Sequence, residues 1–170
     1  MILVEPGYFQ DLISLHLRSR KFYNQDAFFA HLEKLLKNWS CRLRDLWGED
    51  EEPDIDEEIE DFLDKKMSCS DPTTREVAVE LLRPILLKVW NFIYPLVLDL
   101  DLVILDTAAA LVRSPQKYQI VLAGWLFSEA QAIFLPGVLY HEIAHRILDH
   151  QDKDQDFEEK EANSLTLHWL

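Results

Sequence analysis

Tyr140-His141-Glu142-Ile143-Ala144-His145-Arg146-Ile147-Leu148-Asp149-His150 is the stretch on which the reading of this chain turns. It carries the spacing H-E-x-x-H. On an α-helix, residues i and i+4 lie on one face, one turn apart. His141 and His145 therefore present two imidazole nitrogens to one point. Glu142 leaves the helix about 100° round from His141, which sets its carboxylate beside that point rather than on it. The flanks Val138, Leu139, Ile143, Ala144, Ile147 and Leu148 are apolar, so the helix is expected to be buried. Polar groups on a buried helix need partners. A Zn2+ ion is the partner this spacing favours, ahead of a pair of hydrogen-bonded core histidines. Zinc polarises a carbonyl and lowers the pKa of its water. A carboxylate placed like Glu142 takes the proton from that water and passes it to a leaving amine. The expected chemistry is hydrolysis, with Glu142 as general base.

Zinc requires at least a third protein ligand. The candidates lie downstream, in Asp156-Phe157-Glu158-Glu159-Lys160-Glu161-Ala162-Asn163-Ser164-Leu165. This reads as a second helix returning toward the first across a loop at 151–155. Helical periodicity does not choose among Glu158, Glu159 and Glu161, since none is far from the face formed by Ala162, Leu165 and Trp169. Glu159 also has a purely structural reading: with Asp156 as N-cap it would stand at N3, the place of a capping glutamate.

Working outward, Gln119 to Leu126 reads as a strand ahead of the histidine helix, and Leu102 to Leu105 as another, with Ser114-Pro115-Gln116-Lys117 a turn between them. Ser128-Glu129-Ala130-Gln131 fits a capping box, and Pro136-Gly137 then kinks that helix or starts a new one. Asp71-Pro72-Thr73-Thr74 looks like a helix start, with helix expected to about Tyr94 and a possible break at Pro84. Two helices are expected before that, near Tyr8 to Arg18 and near Asp26 to Trp47. Between them and Asp71 lies an acid run, about 49–64, read as an exposed loop and the solvated face of a short helix. The fold class expected is α+β, mostly helical, with a small sheet whose edge strand precedes the histidine helix. An extended substrate backbone could pair with such an edge. The chain is expected to be one domain over 1–170, with a helical part over 1–70 and a metallopeptidase-like core over 71–170.

H-E-x-x-H followed by E-x-x-A-[DN] on a second helix resembles the gluzincin metallopeptidases. Glu159-Lys160-Glu161-Ala162-Asn163 is similar to the ExEAN stretch of the ImmA/IrrE metallopeptidase family. The run from Ile120-Val121-Leu122 through Ser128 and Leu139 to His150 resembles soluble relatives of the HtpX-like family. The resemblance covers about the last 50 residues. It implies a zincin-like fold, Glu159 as the third zinc ligand, and Asn163, one turn on, as a group supporting the ligands. It also implies a transition-state donor, for which His168 and Tyr140 are candidates. The chain stops at Leu170, where many gluzincins carry further structure.

Composition narrows the partners. The chain has 170 residues, 48% of them hydrophobic, and a formal net charge of −14. That charge disfavours nucleic acid and anionic membrane surfaces, which are bound through Lys and Arg. The longest apolar stretch, roughly Val77 to Leu105, is interrupted by Arg83, Pro84, Lys88, Asp99 and Asp101, and reads as a core helix and strand rather than a membrane span. Its two cysteines, Cys41 and Cys69, have no zinc-ligand spacing, and the N-terminus lacks a signal-peptide pattern, so a cytoplasmic location is expected. The expected function is zinc-dependent cleavage of a protein or peptide substrate. The alternatives are a regulatory or binding module with the same fold and a structural or partner-dependent zinc, and a metal-free helical interaction protein.

Overall fold

A computed structural model describes residues 25–46, 54–105, 110–113, 118–148 and 155–170. The expected helix near Tyr8 to Arg18 and the loop at 151–154 lie outside them. The chain is mostly helical with a small sheet, an α+β arrangement. Helix α1 spans Gln25–Leu46 and α2 spans Ile55–Lys66; β1 is Met67–Cys69 and α3 is Pro72–Ile93. A 3-10 segment, Tyr94–Asp99, leads into β2, Leu100–Leu105. Strands β3, Ala110–Arg113, and β4, Tyr118–Ala123, follow. After two more 3-10 segments, Gly124–Phe127 and Ala132–Phe134, come α4, Leu135–Ile147, and α5, Gln155–Trp169.

Local chemistry explains the helix starts. Asp71 caps α3, its side chain accepting from the Thr73 amide at 3.0 Å, and Pro72 fills the first helical position, where no N–H is needed. Asp54 caps α2 in the same way. Pro84 does not break α3. It is exposed, while Ala78, Leu82, Leu86, Val89 and Trp90 bury the opposite face, so the carbonyl that loses its partner stays in water and packing holds the axis. Pro136-Gly137 starts a new helix rather than kinking one. The capping-box segment from Ser128 is not an α-helix but turns and a 3-10 piece.

Two expectations are corrected. The acid run contains the short helix expected of it, α2, but not all of its charge is solvated. Glu58 takes a bidentate pair from buried Arg44, at 2.7 and 3.1 Å, and an N–H from Trp90 at 3.3 Å. The strand before the histidine helix is not an edge. The sheet order is β1-β2-β4-β3, with β2 parallel to β4 and β3 antiparallel to it. Both sides of β4 are hydrogen-bonded over Tyr118–Val121, which leaves no free side there for a substrate strand. The edges among the described strands are β1 and the four-residue β3. One cluster of buried side chains runs from Phe29 on α1 to Trp169 on α5. It includes Leu139, Ile143 and Ile147 of α4 and Ala162 and Leu165 of α5, which fixes the apolar faces of both helices inward.

Candidate metal centre and its cleft

Helices α4 and α5 pack on each other, and α4 also touches β3 and β4. Burying Leu139, Ile143 and Ile147 turns the His141–His145 face toward α5. The ring centroids of the two histidines lie 4.6 Å apart at 88°, and their Nε2 atoms are 3.1 Å apart. From α5, Glu159 brings Oε2 to 3.0 Å from His141 Nε2 and Oε1 to 3.1 Å from His145 Nε2. A tetrahedral zinc shell with bonds of about 2.0–2.1 Å has donor–donor edges of about 3.3–3.4 Å. The separation of the two imidazole nitrogens is close to that edge, and the two oxygens of Glu159 each face one of them, so this donor set fits zinc in its chemistry. His141, His145 and Glu159 are the group of His, Cys and acidic side chains that meets in this way among the described residues.

Of the three glutamates that periodicity leaves open, the structure brings Glu159 to the histidines. Glu158 is buried and Glu161 half-buried. The capping alternative lapses, because α5 begins at Gln155 and Asp156 stands inside its first turn. Glu159 is therefore beyond the capping positions.

Glu142 is buried at 9% exposure beside this trio. Burial pushes its carboxyl pKa up; the His141 ring works against that, and the Glu159 charge adds to it. It lines an open cleft of about 620 Å³ between the two helices. From α4 the cleft is lined by Gly137, Val138 and His141 as well; from α5, by Asn163, Thr166 and Leu167. Asn163 is exposed on the cleft wall, one turn from Glu159. Sequence reasoning gave Gly137 and Val138 structural parts only and did not name Thr166 or Leu167. The signal was available for Gly137, which stands four residues before His141 and so shares its face.

Neither donor candidate is on the cleft wall. The Tyr140 hydroxyl donates to the Ile85 carbonyl at 2.8 Å, and its ring meets Trp169 at 5.8 Å. His168 Nε2 lies 3.0 Å from Glu33 Oε1 on α1. Both side chains tie helices together. No protein-family model, curated protein or solved structure matches this chain. The site's chemistry has to be argued from its own geometry.

Proposed function

We propose that the protein is a zinc-dependent peptidase with a zincin-like arrangement, in which His141, His145 and Glu159 hold the metal and Glu142 is the general base. The observation that carries this reading is the meeting of three donors at 3.0–3.1 Å beside a buried carboxylate on an open cleft. Among the described residues three protein donors meet, the number catalytic zinc sites use, whereas structural sites use four. When bound, zinc supplies a Lewis acid that polarises the scissile carbonyl and makes a water acidic enough to attack near neutral pH.

The chain's own residues do the rest. Glu142 accepts the proton of the attacking water and delivers it to the departing amine. Its raised pKa suits both steps, since a base poised nearer neutrality also serves as an acid. Asn163, on the cleft wall one turn from Glu159, is the group that would support the ligands. Leu139, Ile143 and Ile147 hold the helix so that the base and the ligands keep their spacing. The substrate is a protein or peptide without dense negative charge, as a net charge of −14 requires. No described helix is long and apolar enough to cross a membrane.

Metal analysis and peptide cleavage test the proposal together. The purified protein should carry about one zinc per chain, and His141→Ala or His145→Ala should abolish it. Glu142→Gln should keep zinc and fold but lose nearly all cleavage, because an amide cannot accept the proton. Equal zinc content in wild type and both histidine variants would sink the metal site. Wild-type turnover in Glu142→Gln would remove Glu142 from the mechanism.

A further inference from the structure

Two 3-10 segments, Gly124–Phe127 and Ala132–Phe134, carry the chain from β4 to α4, and they lie against each other with Cα atoms within 8 Å. Leu126, Phe127 and Leu135 turn into the core. Trp125, Ile133 and Phe134 do not, and stand 54%, 79% and 58% exposed. A single apolar side chain in water needs no explanation. Here the side chains project from segments that touch, and they present on the order of 400 Å² of apolar surface, a size at which a patch on a monomer is often a binding surface. None of them lines the cleft, so covering them takes a contact outside it. The area is about half of the roughly 800 Å² that each partner buries in a stable complex. That is too little for a permanent dimer of this chain and fits a weak, transient contact.

The charge around the patch has one sign. Between Lys117 and Arg146 the chain has no Lys or Arg, and Arg146 is buried. Glu129, exposed between the two segments, is the charge they carry. β4, α3 and α4 pack against the segments. The first has no charged residue. The cations of α3 are turned to other partners: Arg75 donates to the Met67 and Asp64 carbonyls at 3.0 and 3.4 Å, Arg83 pairs with Glu60 at 3.9 Å, and Lys88 donates to the Leu170 carbonyl at 3.4 Å. Glu76 and Glu80 of the same helix are exposed. On α4 the ion proposed for His141 would lie about two turns beyond Phe134, with its charge matched by Glu159 and ionised Glu142. A Lys or Arg brought to the patch therefore meets Glu129 and the field of a chain of net charge −14, and an acidic group brought there meets repulsion.

From the exposed apolar surface and the sign of its surroundings we infer that Trp125, Ile133 and Phe134 form a docking site for an amphipathic segment of a partner protein that bears Lys and Arg, its apolar face covering them. The inference stands apart from the peptidase reading, since the patch contains no residue of the metal centre.

The test is calorimetric titration of the full chain with a synthetic peptide of Leu and Lys, patterned so that its helix carries Leu on one face, and with the same peptide bearing Glu in place of Lys. The lysine peptide should bind, and its binding should weaken as salt is raised. The glutamate peptide should bind at least about tenfold more weakly. Ile133→Ser and Trp125→Ser, changes at exposed positions, should each cost about tenfold or more in affinity for the lysine peptide, while Leu167→Ser, on the cleft wall, should leave it unchanged. Equal affinity for the two peptides, no binding of the lysine peptide, or binding lost in Leu167→Ser but kept in the patch variants overturns the proposal. Sedimentation velocity and flotation with phosphatidylcholine vesicles test the other occupants. Self-association or vesicle binding that Ile133→Ser removes assigns the patch to a second copy of the chain or to lipid, and overturns the proposal as well.

Discussion

At Glu142, burial and the neighbouring Glu159 raise the carboxyl pKa while His141 opposes them. A group whose folded pKa lies above its unfolded value binds more protons in the folded state through that window. Stability then falls as pH rises through it and stays lower above it. In metal-free protein, Glu142→Gln should therefore melt higher than wild type at neutral pH. The gap should close below the unfolded carboxyl pKa of about 4.3, where both side chains are neutral. Melting curves of the two chelated proteins across pH check this, and a gap that does not change with pH would show that burial of this carboxylate is not what sets it. Glu159 answers a different question. Glu161 is about 200° further round the helix and Glu158 about 100° back, so neither can replace it without turning α5. Glu159→Ala should weaken zinc binding by more than about a hundredfold, beyond the loss typical of groups that only orient a ligand. Glu158→Ala and Glu161→Ala should leave most of the affinity. Competition with a zinc chelator on the three variants decides it, and loss confined to Glu161→Ala would place the ligand two residues along. The sequence made His141, Glu142 and His145 readable because all three sit on one helix, where spacing alone fixes direction. It left Glu159 among three candidates because that choice depends on how one helix slides against another.

That sliding is set by contacts between elements. Trp169 at the end of α5 donates its indole N–H to Glu33 of α1 at 2.9 Å, and its ring meets Tyr140 of α4, whose hydroxyl is bound to α3. Glu33 is thus the acceptor that anchors the helix bearing Glu159. Glu33→Ala strands the indole donor and should cost about 1–3 kcal/mol, and it should also weaken zinc binding by loosening the helix register. Asp71→Ala, which removes the cap of α3, should cost a similar amount, about 1 kcal/mol, with zinc affinity unchanged. Urea unfolding and zinc titration on both variants separate the two effects; equal zinc affinity in both would deny Glu33 its anchoring role. The elements themselves were unevenly legible. Long amphipathic helices such as α1 and α3 announce themselves by repeating apolar positions over 22 residues each. β1, with three residues, and β3, with four, are too short to show an alternation, so both were missed. The edge position of β4 came with the family resemblance, and β3 is what overturns it. The pattern Gln119-Ile120-Val121-Leu122 reports which face is buried and carries no count of neighbouring strands.

For the whole molecule, the proposed zinc ion bears on stability only as far as the fold would depend on it. Small zinc domains unfold without zinc because they have little core of their own. Here the buried cluster includes Leu139, Ile143, Ile147, Ala162, Leu165 and Trp169 on the helices that hold the donors, but it also reaches through Phe29, Leu36, Leu63, Leu86, Trp90 and Ile120 on α1, α2, α3 and the sheet. Arg44 and Glu58 add a polar knot against Trp90 and Tyr94 of that cluster, joining α1, α2, α3 and the 3-10 segment after it, with the Arg44 guanidinium 4.1 Å from the centre of the Tyr94 ring. Neither feature needs an ion. Stripping zinc should therefore leave the helical circular-dichroism signal in place at 25 °C and lower the melting temperature instead. The size of the shift follows from binding to the folded state alone. Free zinc at a hundred times its Kd contributes about 2.7 kcal/mol, and for a chain of this length each kcal/mol is worth about 2–4 °C. The expected loss on chelation is about 5–11 °C, shrinking as free zinc is lowered toward Kd. His141→Ala should melt at the same temperature with and without zinc. Collapse of the helical signal on chelation would mean that the ion is part of the core. A wild-type melting temperature indifferent to zinc, with the histidine variant behaving alike, would mean that the three donors meet without binding it.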